Sequence, residues 1–356
     1  MRVVFLIEDS LPNRCVGPEL TPTLWSLIGD GGWHPDGGIS VLASSTFPNH
    51  ATFATGRDVN SHRIFANDIW DGSSFVCSAT LGPVGDTVFD AAQRAKKSTG
   101  AILGDWTMVG CMGASTADVF WPPVDGVDSD TPVDCLGYPA NEAVIEALSG
   151  SHRAALDTDL LYIHLNDPDS TLHLCGPEAE ESMQRIREVD DDLSTIVDLL
   201  RPRWDDTVLF VVSDHDQETI NHELEPIDLQ AELIAAGVPG YAHNEGMIGI
   251  VYDSPGAWTL TRLGCVQGAS DVADKITVVW SERGRVFGRA SDDTETARKT
   301  INGQHGSPRT RTQVATVSGG HPIVPSVAQR ISGHRPYATD YAWMIAELLD
   351  LPLERS

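Results

Sequence analysis

Three places in the chain set carboxylates and imidazoles directly behind runs of apolar residues. Asp9 follows VVFLI at 3–7, Asp169 and His173 stand four residues apart behind DLLYIHL at 159–165, and Asp214 with His215 closes DTVLFVV at 206–212. A charged or imidazole side chain at the mouth of a core must be paired, hydrated or bound to a metal. Oxygen and nitrogen donors without thiolates suit zinc, manganese or another divalent transition metal, whereas magnesium alone favours oxygen donors. Taken singly, each aspartate also reads as an ordinary turn residue. A further stretch, SSTFPNHATFATG from Ser44 to Gly56, is crowded with hydroxyls around a proline and a histidine. Caps and turns explain such residues locally, so these thirteen positions alone do not single out a nucleophile.

The elements that would position these groups alternate along the chain. VVFLI, TGAILGDW after residue 98, DLLYIHL and DTVLFVV read as strands buried on both faces. Between them, TPTLWSLIGDGG at 21–32, TVFDAAQRAKK at 87–97, residues 141–150 and an acidic stretch from Glu178 to Leu200 carry helical spacing. A short strand is expected near 38–42, a helix from Pro48, another strand in TQVATVSGG, and a last helix over Tyr337 to Leu351. DPDSTLH reads as a short polar loop. This rhythm predicts an α/β sandwich with a mostly parallel sheet flanked by helices, whose strand ends face one crevice where ligands bind. Asp9, the Asp169–His173 pair and the Asp214–His215 pair then converge on one edge. From 222 to 304 the pattern changes to short strands separated by glycines, among them GMIGIVYD, KITVVWSE and GRVFGRA. The expected division is a core of 1–221 and 305–356 with 222–304 as a small subdomain or elaborated insertion. No internal repeat is present.

Composition removes several function classes. The 24 basic and 51 acidic residues give a formal charge of −27 over 356 residues, and only four of the bases are lysines. Such a surface repels nucleic acid polymers and anionic membranes. Six cysteines, at 15, 77, 111, 135, 175 and 265, lack CxxC or zinc-finger spacing. MRVVFLIED meets two acids by residue 9, too soon for a secretory or membrane segment. These features predict a cytoplasmic protein with reduced thiols. They allow a homo-oligomer.

VVFLIEDS, TPTLWSL, SSTFPNHATFATG, SHRIFAND, DPDSTLHLCGP, VVSDH and NGQHG occur in that order from the first strand to beyond residue 305. In order and approximate spacing the chain resembles the alkaline phosphatase superfamily, and within it the type I phosphodiesterase/nucleotide pyrophosphatase family. The resemblance implies an alkaline-phosphatase-like sandwich and a hydrolase with two divalent metal ions. Asp9, Thr46, Asp214 and His215 match the residues around one ion, and Asp169, His173 and His305 those around the other. Zinc is the expected metal, with manganese as the alternative. Three aspartates against two dications leave a local positive balance for a phosphate ester, whatever the net surface charge. Thr46 is the expected nucleophile, activated by metal coordination and forming a covalent phosphothreonine. Pro48 suits the first turn of a helix whose free amides face the bound anion. Asn67 matches the asparagine that donates to a phosphoryl oxygen, while Asn49 and His50 are expected to orient the turn around Thr46.

The chain departs from the family pattern at four places. Ser10 replaces a glycine after the first aspartate, Leu172 replaces a glycine between the two outer ligands, SDHGM becomes SDHDQ, and Arg63 stands in SHR where the family has SHG. Asp216 could orient a ligand, meet a cationic substrate group or disfavour a second negative charge, and Arg63 could approach a substrate anion. Trp106, Phe120 and Trp121 are candidates for stacking a base or for ordinary packing. The expected substrate is a small phosphate ester of nucleotide type. Phosphonoacetate hydrolase-like and phosphomonoesterase activities keep the same centre with another substrate, and a non-catalytic metal-binding protein is the reading from a different class.

Overall fold

Every residue of the strand Arg2–Glu8 is buried, and successive side chains leave it on opposite faces. Val3, Phe5 and Ile7 enter one apolar layer, Val4 and Leu6 the other, as a sheet covered by helices on both sides requires. The computed structural model describes residues 1–288 and 301–354. Its main sheet has seven strands in the order Gly32–Trp33, Ala315–Ser318, Thr207–Val212, Arg2–Glu8, Leu160–Leu165, Thr99–Leu103 and Val119–Trp121. From Thr207–Val212 to Val119–Trp121 neighbouring strands pair in parallel, and Ala315–Ser318 joins antiparallel to Thr207–Val212. This is the alkaline-phosphatase-like sandwich expected from the sequence.

Helices Thr46–Thr55, Val88–Arg94 and Ala338–Leu349 cover one face, and Pro22–Asp30, Asn141–Ser149 and Glu180–Leu200 cover the other. Phe5 is the hub of the first layer. Its ring lies 5.3 Å from Phe53, 4.9 Å from Tyr162, 6.1 Å from Phe210 and 5.4 Å from Tyr341. Phe5 and its four partners come from three sheet strands and two helices, so one side chain ties the central strand to the helix that begins at Thr46.

Local chemistry moved several element ends. The helix expected from Pro48 begins at Thr46, because a proline in the first turn forfeits only an amide that has no intrahelical partner. The 38–42 strand shrinks to Gly38–Ile39, paired with Thr312–Gln313. Asp90 and Thr87 form a reciprocal cap that starts the next helix at Val88. DPDSTLH, read as a loop, is the start of a helix, Asp169–Cys175. Asp167 Oδ1 accepts from the Thr171 amide at 3.0 Å and its hydroxyl at 2.9 Å, so Asp-Pro acts here as a helix start signal.

Within 222–304, Tyr241–Glu245, Ile248–Tyr252, Ile276–Trp280 and Gly268–Ala273 form an antiparallel sheet in that order. One apolar group on it gathers Leu229, Leu233 and Val251; another sets Ile248, Ile250 and Val278 against Val59, Phe65 and Ile69. The sheet is thereby packed against the segment that carries Asn67. GRVFGRA makes a single bridge, Phe287 to Ile227, and its last two residues lie outside the described residues.

Phe5→Ala is expected to lower the unfolding free energy by about 3–5 kcal/mol in a denaturant titration. A loss below about 1 kcal/mol would contradict the hub role, since that is the scale of an ordinary substitution.

Candidate active site

The first strand ends at Glu8, and the Asp9 amide still donates to Leu165 O at 3.0 Å. Ser10 then turns into the left-handed region, φ 62°, where glycine is favoured and a side chain is strained. That turn aims the Ser10 amide at Asp214 Oδ1, 3.0 Å away, and the His215 amide meets the same oxygen at 2.9 Å. The backbone, not the Ser10 hydroxyl, makes the connection between the two strand ends.

Thr46 is half-buried at the N-terminal end of its helix, with Oγ1 3.2 Å from His215 Nε2. Its carbonyl accepts from His50 Nδ1 at 2.8 Å, and Asn49 Nδ2 donates to Ser45 O at 2.9 Å while its Oδ1 receives the Val41 amide. Both side chains orient the turn. Asn67 Oδ1 accepts from the Phe47 amide at 3.4 Å, which puts the asparagine beside the first-turn amides of the same helix.

Ligand atoms of Asp9, Asp214 and His215 all lie within 4.8 Å of one another, and so do those of Asp169, His215 and His305. His215 therefore sits at the seam of two clusters, and its ring stacks on His305 at 3.9 Å. His173 joins the second cluster from one helical turn beyond Asp169, its Nε2 3.3 Å from Asp169 Oδ2. Its Nδ1 donates to Gly303 O at 2.8 Å, which leaves Nε2 as the free donor atom. Asp9, Asp169, Asp214, His215 and His305 thus fall within the two clusters, with Thr46 beside His215 and His173 beside Asp169.

Among the described residues, only histidines pair with the carboxylates of the pocket. Asp9 and Asp214 are fully sequestered, and Asp169, His173 and His305 are 7–8% exposed. Burial, with the charges of Asp214 and Asp169, lifts Asp9 well above the usual carboxylate range. Burial also lifts Asp214, against the pull of His50. Burial would lift Asp169 too, yet the neighbouring imidazoles, His173 foremost, hold it below its ordinary value, and Asp169 in turn raises His173 against that side chain's burial. The same desolvation pushes His215 down to about 3 and lowers His305, so both imidazoles are neutral at neutral pH. Among the described residues, Asp9 Oδ1, Asp214 Oδ2, His215 Nδ1 and His305 Nδ1 are buried without a hydrogen-bond partner. Unpartnered buried acceptors are costly, and oxygen and nitrogen donors on neutral imidazoles and carboxylates fit divalent transition metals. The chain holds two candidate divalent-metal sites, with His215 lying between them.

Sequence reading missed His164 and Gln217. His164, in the core strand Leu160–Leu165, donates from Nε2 to Asp9 Oδ2 at 3.0 Å, and its ring packs edge-on to His50 at 4.8 Å. The available signal was a histidine inside an otherwise apolar strand, which demands a partner. Asp216 is drawn into an ion pair with Arg14, and its amide donates to Thr310 O. It therefore serves Arg14 rather than a metal ligand. Leu172 is wholly buried in the second apolar layer and anchors the ligand helix. Arg63 is exposed at the end of a short helix. Phe120 and Trp121 are half-buried and pack on opposite apolar layers, whereas Trp106 faces Tyr138 with centroids 5.7 Å apart.

The family model for type I phosphodiesterase/nucleotide pyrophosphatase matches residues 3–315. The chain belongs to this family. Among its relatives, the bis(5'-adenosyl)-triphosphatase enpp4 of Xenopus laevis is 26% identical over 186 residues, 49% of this chain and 38% of the relative. Ectonucleotide pyrophosphatase/phosphodiesterase family member 1 of Rattus norvegicus is 25% identical over 188 residues, 50% of this chain and 20% of the relative. The chain thus spans well under two thirds of the length of these curated relatives. Murine ectonucleotide pyrophosphatase/phosphodiesterase 5 has the same fold, with TM-score 0.71 at 17% identity over 100% of this chain and 96% of that one.

These family members correct one expectation. Two of them are named as ectonucleotide enzymes, which points to a secreted or membrane-surface setting and overturns the cytoplasmic assignment. Scattered cysteines and an early pair of acids describe this stretch of chain and are no physical bar to that setting. Among the described residues, no helix is long and apolar enough to cross a membrane.

Chelation of divalent ions is expected to lower the melting temperature, and re-addition to restore it. Saturation at a hundredfold excess over Kd stabilises by about 2.7 kcal/mol per site. Scanning calorimetry with and without chelator checks this; identical melting curves would contradict metal binding at the two clusters.

Proposed function

We propose that the chain is a metal-dependent phosphodiesterase of nucleotide pyrophosphatase type that works through a covalent phosphothreonine at Thr46. The observation that carries this reading is the position of Thr46 Oγ1, 3.2 Å from the His215 Nε2 that lies at the seam of the two clusters. Asp9, Thr46, Asp214 and His215 would hold one ion and Asp169, His173 and His305 the other, with zinc the best match to the donor set and manganese the alternative. Bound there, two dications would supply positive charge that favours the threonine alkoxide and offsets charge on the entering and departing oxygens.

The remaining work belongs to the chain. His50 and Asn49 hold the turn so that Thr46 Oγ1 faces the crevice. Its hydroxyl gives up its proton to solvent, the oxygen attacks phosphorus as the bond to the leaving oxygen breaks, and the leaving group departs with the electron pair. Water then attacks the same phosphorus, the Oγ1–phosphorus bond breaks, and the threonine hydroxyl is restored on taking a proton. The Asn67 side-chain amide, its oxygen turned to the Phe47 amide, would donate to a non-bridging oxygen, where charge grows. The names of the relatives, an adenosyl triphosphatase and nucleotide pyrophosphatases, support a nucleotide ester as substrate. Within the small subdomain read over 222–304, the sheet that carries Ile248, Ile250 and Val278 braces the Asn67 side of the crevice.

A parallel panel tests the proposal: bis-aryl phosphodiester, aryl phosphomonoester, a nucleotide ester and phosphonoacetate, each on zinc- and manganese-loaded protein. Diester and nucleotide ester are expected to turn over fastest, and Thr46→Ala to lose on the order of 10³-fold or more in kcat. Unchanged Thr46→Ala activity would sink the covalent mechanism. Preference for phosphonoacetate or a monoester would move the substrate class, and turnover of none would remove the enzymatic reading.

A further inference from the structure

Gln217 is 4% exposed, yet it stands two residues beyond His215 and reaches a different element. Its Nε2 donates to Asp169 Oδ1 at 2.6 Å and to the Asp169 carbonyl at 3.2 Å. Asp169 Oδ2 is the oxygen that faces His173 Nε2, 3.3 Å away. The amide therefore occupies one carboxylate oxygen and leaves the other turned towards the histidines. The Gln217 side chain is also wedged in place. A Cβ on Gly303 would come within 2.5 Å of Gln217 Oε1 and 2.3 Å of Leu172 O, so only glycine allows the two segments to approach this closely. Gly303 O in turn accepts from His173 Nδ1. Gln217 and Gly303 together thus orient both ligands that the helix Asp169–Cys175 supplies.

We propose that Gln217 is a positioning residue that presents Asp169 to the metal site of Asp169, His173 and His305 and sets the affinity of that site rather than that of the site of Asp9, Thr46, Asp214 and His215. The idea rests on the two-metal reading above. The family pattern SDHGM has methionine at this position, which cannot donate a hydrogen bond, so the amide is a feature of this chain. Asp216, between His215 and Gln217, points away to Arg14, which separates the two neighbours into different tasks. Hydrogen bonds to metal-binding carboxylates typically change metal affinity by roughly 10- to 100-fold when removed.

The test is a zinc titration of metal-free protein against a competing chromophoric chelator, comparing the parent chain with Gln217→Met. The parent is expected to take up two equivalents. The variant should weaken one of them by roughly 10- to 100-fold and leave the other unchanged, with the metal-free proteins melting at the same temperature. Equal affinities in parent and variant would overturn the proposal. So would equal weakening of both equivalents together with earlier melting of the metal-free variant, since that is loss of structure. Should the variant not fold, the parent itself decides: the Gln217 side-chain amide protons should exchange slowly with solvent in nuclear magnetic resonance, and rapid exchange would overturn the assignment. A parent that binds fewer than two equivalents would fail the two-metal reading rather than the role of Gln217.

Discussion

Asp9, Asp169 and Asp214 share a space from which water is nearly excluded, and among the described residues no arginine or lysine pairs with any of them. Three carboxylates cannot all ionise cheaply in a low dielectric without compensating charge. His173, raised by Asp169 against its own burial, answers that one carboxylate, while the same burial lowers His215 and His305 and leaves Asp9 and Asp214 without an imidazolium partner from them. The pocket is consequently built for positive charge from outside the chain. This constraint explains why so much backbone is spent on fixing single oxygen atoms. The Ser10 and His215 amides both aim at Asp214 Oδ1, and His164 holds Asp9 Oδ2.

The sheet makes such crowding feasible. Parallel strands deliver their carboxyl ends to one edge, so Asp9 and the Asp214–His215 pair arrive side by side from adjacent strands. Asp169 and His173 enter from the next strand over, displaced by a proline and a helix start. Thr46 comes from the layer above. Its helix is fastened to the central strand by the Phe5–Phe53 contact, so Thr46 and the carboxylates belong to one packed unit. His305 arrives last in sequence, where Gly303–Gln304 pairs with Glu218–Thr219 close behind the Asp214 turn.

Departures from the family pattern fall into place once neighbours are visible. Ser10 adopts a conformation that glycine would enter more easily, keeping the backbone contact at some conformational cost. Leu172 replaces flexibility with an apolar anchor between Asp169 and His173. Asp216 gives its charge to Arg14, so an added carboxylate next to the site does not add to the negative charge inside it. The reading of Asp216 as a group acting on metal or substrate failed because a sequence neighbour of a ligand at a strand end can point the opposite way.

The sequence by itself determined the strand ends, the order of the motif blocks and the side chains competent for metal binding. Those features are local: a two-sided buried strand is a run of apolar residues, and the residues just beyond it must lie at the sheet edge. It also marked Thr46, through a motif shared with the family. Tertiary structure alone decided which groups serve those ligands. His164 and Asp9 are 155 residues apart, Gln217 and Asp169 are 48 apart, and Asp216 and Arg14 are 202 apart. No periodicity encodes such pairs, because they depend on the register of non-adjacent strands and on how helices dock over them. The same is true of His215, whose place between two clusters comes from the approach of three segments that the chain keeps far apart.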